Sequence, residues 1–220
     1  MKVTKTMFAA TGALLLLSSQ AHAQLGALIS KVPSLGNRSS GSGDVNGFLA
    51  SAQKAEALTR ISAVSLLESI SSKEEAAALR ARATAAEAVS DPKEREAALR
   101  QVSTDVTAQL AATDFASKSK ELEGKATEAQ RRQIGASVYN LALAILMDRQ
   151  AIEQGRGLLN NPMSLAQGGS ILKAKDAFSA VGGQMANLTK IGLGLPKLMS
   201  VGRLSALPTS AADAPKSVAD

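Results

Sequence analysis

The fold of this chain is decided by residues 134–152, IGASVYNLALAILMDRQAI. Drawn as a helix, this stretch carries apolar side chains all round its circumference, and a helix of that kind is buried in a protein core. Its uncharged part, residues 133–147, is 15 residues long, which is shorter than the ~20 residues that a helix needs to cross a bilayer. The stretch therefore predicts the central helix of a helical bundle.

Helical patterns also precede this stretch. Apolar residues recur at three- and four-residue spacing across about 45–70, which predicts a first helix. Ser72-Lys73-Glu74-Glu75 matches a capping box and predicts an alanine-rich second helix that ends near Val89. Asp91-Pro92 offers an N-cap followed by proline at the first helical position, and so predicts the start of a third helix. The apolar stripe of that helix comprises Leu99, Val102, Val106, Leu110 and Thr113, and it continues towards Phe115.

Polar and glycine-rich segments mark the connections. The polar segment 118–133 predicts either a solvated helical extension or the turn of a hairpin near Gly124. Glycine, asparagine and proline predict a loop or short helix over 155–169, and Gly192–Pro196 is predicted to end a further helix over about 170–191. We therefore predict an all-α, antiparallel bundle of four to six helices over residues 45–206. We expect a flexible lead-in over 24–44 and a disordered tail over 207–220.

Residues 1–23 have the layout of a secretory signal peptide. Lys2 and Lys5 precede an apolar run from Met7 to Leu17, and Ala21-His22-Ala23 places small residues at the −3 and −1 positions of a cleavage site. Cleavage would give a mature chain that begins at Gln24 and lies in the periplasm or outside the cell. The alternative is retention of the uncharged run 6–30 as a membrane anchor, although this run becomes polar after Leu17.

Composition excludes several kinds of chemistry. The single histidine, His22, lies within the predicted signal peptide, and the chain has no cysteine or tryptophan. Because the mature chain lacks imidazole and thiol groups, we exclude Ser-His-Asp and Cys-His catalysis, histidine–cysteine zinc sites, and haem or iron–sulfur ligation. Disulfides are excluded as well. We predict no cofactor and no bound metal.

Net positive charge concentrates in the C-terminal part of the chain, because acidic residues are scarce there. Residues 156–206 contain six basic side chains against Asp176 alone, within a chain whose formal net charge is +6 at pH 7. We predict that the six contact an anionic surface such as lipid, lipopolysaccharide or an acidic protein. Nucleic acid is disfavoured because the chain is predicted to be exported and has few aromatic side chains for stacking. The candidate residues are Arg156, Lys173, Lys175, Lys190, Lys197 and Arg203.

Catalytic motifs are weak in this sequence. Ser117-Lys118-Ser119-Lys120 contains the S-x-x-K spacing of penicillin-recognising enzymes, but neither K-T-G nor S-D-N accompanies it, so we predict a solvated helix face. Gly192-Leu193-Gly194 lacks the third glycine and the preceding strand of a dinucleotide-binding loop. Paired carboxylates lie close in sequence to lysine or arginine, which indicates surface ion pairs such as Glu96–Arg100 and Glu128–Arg132. The carboxylate pairs are Glu74/Glu75, Glu94/Glu96 and Glu121/Glu123.

Small residues recur at four-residue spacing in the last long helix. Ser179 with Gly183, and Gly182 with Ala186, form small-x-x-x-small patterns that let helix backbones approach closely. We predict tight packing of these residues against a neighbouring helix of the bundle. The alternative is a helix that inserts into a membrane or oligomerises on it.

These observations favour a non-catalytic, exported helical protein that binds a partner protein or the cell envelope. A membrane-active or anionic-lipid-binding bundle that uses residues 155–206 is the alternative. A hydrolase that uses carboxylates alone is the third hypothesis. A basic apolar groove would favour the second hypothesis, and a pocket with two buried carboxylates would favour the third.

Overall fold

A computed structural model describes residues 45–160 and 169–217 of the chain. These residues form six α-helices and no β-strand, which confirms the all-α prediction. The helices are α1 Val45–Ile70, α2 Lys73–Glu87, α3 Pro92–Ala112, α4 Phe115–Leu122, α5 Glu128–Leu159 and α6 Gly169–Gly194, and a 3-10 turn follows at Leu195–Leu198. The predicted signal peptide, 1–23, and the predicted lead-in, 24–44, lie outside the described residues.

Helices α2 and α3 begin where their capping residues predicted. The Glu75 backbone N–H donates to the Ser72 hydroxyl at 3.3 Å, and the Glu75 carboxylate accepts from the Ser72 backbone N–H at 3.0 Å. Asp91 caps α3 by accepting from two backbone N–H groups of its first turn, at 2.9 and 2.8 Å. Gly124 has a φ of +77°, in the left-handed region that favours glycine, and it lies in the turn between α4 and α5. Both capping predictions and the turn near Gly124 are confirmed.

Helices α1 and α5 form the antiparallel pair at the centre of the bundle. Seven consecutive residues of α1, 61–67, are buried, and no residue of α5 between 134 and 148 is exposed. Polar side chains at three levels fix the register of the pair: Thr59 with Asp148, the hydroxyls of Ser65 and Ser137 at 2.8 Å, and the Gln130 amide with the Ser69 carbonyl at 2.7 Å. The predicted central helix is therefore confirmed, and α1 shares its central position.

The apolar interior divides into two main clusters along this helix pair, and Leu58, Leu143 and Ala144 form a third, minor one. The larger cluster joins the C-terminal half of α1 and the N-terminal half of α5 to α2, α3 and the C-terminal half of α6. The smaller cluster lies at the other end, where Phe48 of α1, Leu158 of α5 and Val181 of α6 are buried together. Helix α6 therefore runs antiparallel to α5 and contributes to both clusters.

The prediction of a loop or short helix over 155–169 is wrong at its start, because α5 continues to Leu159. Gly155 is buried, and a Cβ added there would lie 2.5 Å from a ring carbon of Phe178 and 3.1 Å from one of Phe48. The glycine thus provides space for two aromatic rings instead of ending the helix. Residues 161–168 lie outside the described residues. The prediction that Gly192–Pro196 ends a further helix is confirmed, because α6 ends at Gly194 and the 3-10 turn follows at Leu195.

The prediction of a disordered tail from residue 207 is also corrected. The Asn140 side-chain amide donates to the Lys216 carbonyl at 2.7 Å, and its oxygen accepts from the Lys216 backbone N–H at 2.7 Å. The Lys216 ammonium lies 4.5 Å from the centroid of the Tyr139 ring. Leu207 packs against the larger apolar cluster. The segment 207–217 is therefore non-helical chain that docks on α5 through the buried Asn140.

Candidate functional site

One side of α6 points away from the bundle along most of the helix. Its residues recur at three- and four-residue spacing, which places them on one side of an α-helix, and all of them are exposed. We call this surface the α6 outer face; it consists of Leu172, Lys175, Asp176, Ser179, Gly182, Gly183, Ala186, Thr189, Lys190 and Leu193. The buried contacts of α6 are made from its other side, by Ala174, Val181, Leu188 and Ile191.

The middle of the α6 outer face consists of small residues. A Cβ added at Gly182 or Gly183 would meet nothing within 4 Å. Ser179 and Ala186, on either side of the two glycines, are also exposed. The predicted packing of these residues against a neighbouring helix of the bundle is therefore wrong. The fold leaves their surface open to the close approach of another helix.

Two leucines lie at the ends of this small-residue surface. Leu172 is 64% exposed and Leu193 is 77% exposed, and they are the large apolar side chains that the described part of the chain leaves exposed. A single exposed leucine is ordinary in a folded protein. Two on the same face provide separate apolar contact points, with Lys175, Asp176 and Lys190 as charged neighbours.

The six basic residues predicted as a site are all exposed, but the fold does not bring them together as one surface. Lys175 and Lys190 lie on the α6 outer face, whereas Lys173 lies on another side of α6 and Arg156 lies near the end of α5. The remaining two lie after α6: Lys197 is on the 3-10 turn near Asp114, and Arg203 pairs with Glu128 at 3.0 Å. The spacing predicted Arg132 as the partner of Glu128, whereas the structure pairs Glu128 with Arg203.

Two carboxyl groups that were not predicted as site residues lie between α1 and its neighbours. Asp148 of α5 is 3% exposed and accepts a hydrogen bond from the Thr59 hydroxyl at 3.3 Å. Burial raises the pKa of Asp148 to about 7; the Thr59 hydrogen bond opposes this shift and the nearby Glu56 adds to it. The available signal was an acidic residue inside the stretch that is apolar all round.

Glu56 of α1 has cationic neighbours that Asp148 lacks. Burial raises the pKa of Glu56, while Arg100 and Arg60 act to lower it. The network of which Glu56 is part ties α1 to α2 and α3 through the pairs Arg100–Glu56 at 3.7 Å, Arg100–Glu96 at 2.6 Å and Arg60–Glu87 at 3.7 Å. A general acid must reach its substrate. Because Asp148 is enclosed by the helices around it, its burial favours a structural role for this carboxyl group.

The S-x-x-K motif lies at the start of α4 and makes local contacts. The Ser117 hydroxyl donates to the Asp114 carboxylate at 2.7 Å, and Lys118 pairs with Glu121 at 2.9 Å. The predicted solvated helix face is confirmed for Ser117 and Lys120, which are both exposed. The carboxylates predicted to lie on the surface are also exposed: Glu74, Glu75, Glu94, Glu96, Glu121 and Glu123.

Within residues 45–160 and 169–217, no three acidic, histidine or cysteine side chains are grouped so as to hold a metal ion. In that part of the chain no helix combines the length and the apolar character needed to span a membrane. Comparison with protein-family models, curated proteins and solved structures finds no match to this chain. The α6 outer face and the carboxyl groups of Asp148 and Glu56 are therefore the features that bear on function.

Proposed function

We propose that this chain is an exported, non-catalytic helical protein that binds a partner protein through the α6 outer face. The observation that carries the proposal is the exposure of Leu172 and Leu193 at the two ends of a face whose middle is made of glycine, serine and alanine. Full burial of a leucine side chain contributes ~1.5–3 kcal/mol, and small residues let a partner approach closely. Export is supported by the signal-peptide layout of residues 1–23.

The non-catalytic part of the proposal is supported by residue chemistry. The mature chain offers no imidazole or thiol as base or nucleophile. Asp148 has a pKa suited to acid–base chemistry, but it is 3% exposed and engaged with Thr59. A carboxylate hydrolase remains the third hypothesis, and it would require the α1–α5 pair to open before a substrate could reach this group.

Photocrosslinking in exporting cells tests the proposed binding surface. A photoreactive residue replaces Ser179 or Leu193 in the full chain, and the matched control replaces Ala97, an exposed residue of α3. We expect a covalent adduct to a protein from positions 179 and 193, and none from position 97. Equal adducts from all three positions, or none from the first two, would overturn the proposal.

Binding to an anionic surface is the second candidate function, because Lys175 and Lys190 flank the small residues on the same exposed face. Each lysine near an anionic membrane contributes roughly 1 kcal/mol, and salt screens this attraction. Co-sedimentation with anionic vesicles at low and high salt tests it, beside a variant with Lys173, Lys175, Lys190 and Lys197 changed to Glu. Salt-sensitive pelleting that the variant loses would favour a membrane partner; no pelleting would leave a protein partner.

A further inference from the structure

The sequence of the α6 outer face is palindromic except at Asp176 and Thr189, which lie six residues from the central glycines. Similar exposed residues occur at equal distances before Gly182 and after Gly183: Ser179 and Ala186 at three residues, Lys175 and Lys190 at seven, and Leu172 and Leu193 at ten. A twofold axis between two antiparallel helices brings residues at equal distances from the centre to the same level. This face therefore has the arrangement that a self-complementary contact requires.

We propose that the α6 outer face pairs with the same face of a second copy of this chain, with the two helices antiparallel and centred on Gly182–Gly183. The inference rests on the proposed function, because it names the partner that the face binds. In this arrangement Leu172 of one copy lies level with Leu193 of the second copy, and the small residues of the two copies meet at the centre. The two exposed leucines of each copy thereby become covered.

Charge complementarity supports the antiparallel arrangement. Asp176 and Lys190 of the second copy differ in level by one residue, or about 1.5 Å along the helix axis, and they lie on the same edge of the contact. Two equivalent Asp176–Lys190 ion pairs are thus available across the interface. Lys175 shares a level with Lys190 of the second copy, but these two lie on opposite edges, so their side chains diverge. A parallel pair about a twofold axis would instead place Asp176 level with Asp176.

The glycines determine how closely the two helices approach. Open space around Gly182 and Gly183 leaves their backbone available for direct contact with another helix. A single pair of helices buries less than the ~1,600 Å² of a standard stable interface. We therefore expect a reversible dimer that forms at micromolar or higher concentration of the chain.

Sedimentation equilibrium of the mature chain tests the pairing by charge exchange. Asp176→Lys and Lys190→Asp each bring like charges together, and each is expected to weaken dimerisation about tenfold or more, a change of ~1.4 kcal/mol. The double variant restores the ion pairs and should dimerise like the parent. Lys173→Asp, exposed on another side of α6, is the matched control and should change little. A monomeric parent at millimolar concentration, or a double variant weaker than either single variant, would overturn the inference.

Cysteine pairing tests the register, because the chain has no cysteine of its own. Ser179 lies level with Ala186 of the second copy, whereas the two Ser179 residues are about 10 Å apart along the axis, beyond the reach of a disulfide. A mixture of the Ser179→Cys and Ala186→Cys variants should give a disulfide-linked dimer containing one of each. Dimers formed mainly within one variant alone would contradict the antiparallel arrangement.

Photocrosslinking separates failure of this inference from failure of the proposed function. A chain that stays monomeric but whose position 193 captures a different protein would overturn the inference and support the proposed function. A crosslink to residues 24–44 of the same chain would overturn both, because the face would then have an internal occupant. Adducts with the mass of two copies, together with a concentration-dependent dimer, would support both.

Discussion

Gly135 of α5 and Gly202, which follows the 3-10 turn, are in direct backbone contact. A Cβ added at Gly202 would lie 2.6 Å from the Cα and 2.7 Å from the backbone nitrogen of Gly135, and a Cβ added at Gly135 would overlap the Gly202 carbonyl oxygen. Neither position has room for a side chain. The contact holds the segment after α6 against the central helix of the bundle.

Gly135→Ala is expected to destabilise the protein by roughly 1–3 kcal/mol, because backbone must move to admit the methyl group. This cost outweighs the better helix propensity of alanine. Urea denaturation measures the change, with Gly157→Ala as the control in the same helix. A Cβ at Gly157 meets nothing within 4 Å, so this variant should gain up to ~1 kcal/mol. Equal effects of the two substitutions would contradict the close contact.

Asp148 makes stability depend on pH. Its pKa is about 7 in the folded protein against an ordinary value of 3.8, so the folded chain binds the extra proton between these values. The contribution of this proton to the free energy of unfolding is fully present below pH 3.8 and is lost as the pH rises to about 7. Each pKa unit corresponds to about 1.4 kcal/mol.

Thermal unfolding midpoints measured between these pH values check this sign. The parent midpoint should fall as the pH rises, and Asp148→Asn should flatten the fall, leaving a smaller contribution from Glu56, whose pKa is also raised by burial. A variant with the same slope as the parent would show that Asp148 is not the titrating group.

Leu141 tests the position of the core. It is fully buried on α5, and a buried Leu→Ala substitution costs ~2–5 kcal/mol. Leu193→Ala, at a position 77% exposed, should stay within about 0.5 kcal/mol of the parent. Leu204→Ala should have a smaller effect than Leu141→Ala, because Leu204 is only partly buried against the larger cluster. Similar losses in all three variants, measured by chemical denaturation, would place the core elsewhere.

Export predicts a defined amino terminus. Protein recovered after export should begin at Gln24, because Ala21 and Ala23 provide the small residues of the cleavage site. N-terminal sequencing gives the result directly, and Ala23→Leu should slow the processing. Recovery of chains that begin at Met1 from a membrane fraction would contradict both cleavage and release from the membrane.

Local chemistry was sufficient to predict the starts of α2 and α3 and the buried central helix. The capping contacts of Ser72 and Asp91 involve only residues that are close in sequence. A helix that is apolar all round, as residues 134–152 are, must be buried. The predictions that were wrong depended on contacts between residues that are far apart in the sequence. Glycine typically interrupts helices, yet Gly155 lies within α5, where the missing side chain leaves space for Phe178 of α6.

The candidate site shows the same division between local and tertiary information. A stripe of small residues has the same spacing whether it packs inward or faces out, so the sequence could not decide the orientation of Gly182 and Gly183. The docking of the tail depends on Asn140, which lies 76 residues from its partner Lys216. No pattern in the local sequence predicts a contact between residues so far apart. The palindrome of the α6 outer face was present in the sequence, but it gains meaning only once those residues are known to be exposed.

A photocrosslinking scan along α6 in exporting cells is the most direct test of the proposal that the α6 outer face binds the partner. The probe replaces one residue at a time, at Lys175, Ser179, Ala186 and Lys190 on the face, and at Lys173 and Gln184 on other sides of the helix. Adducts should follow the helical repeat, present at the four outer-face positions and absent at the other two. Adducts that are uniform along α6, or strongest at Lys173 and Gln184, would contradict the assignment of this face as the binding surface.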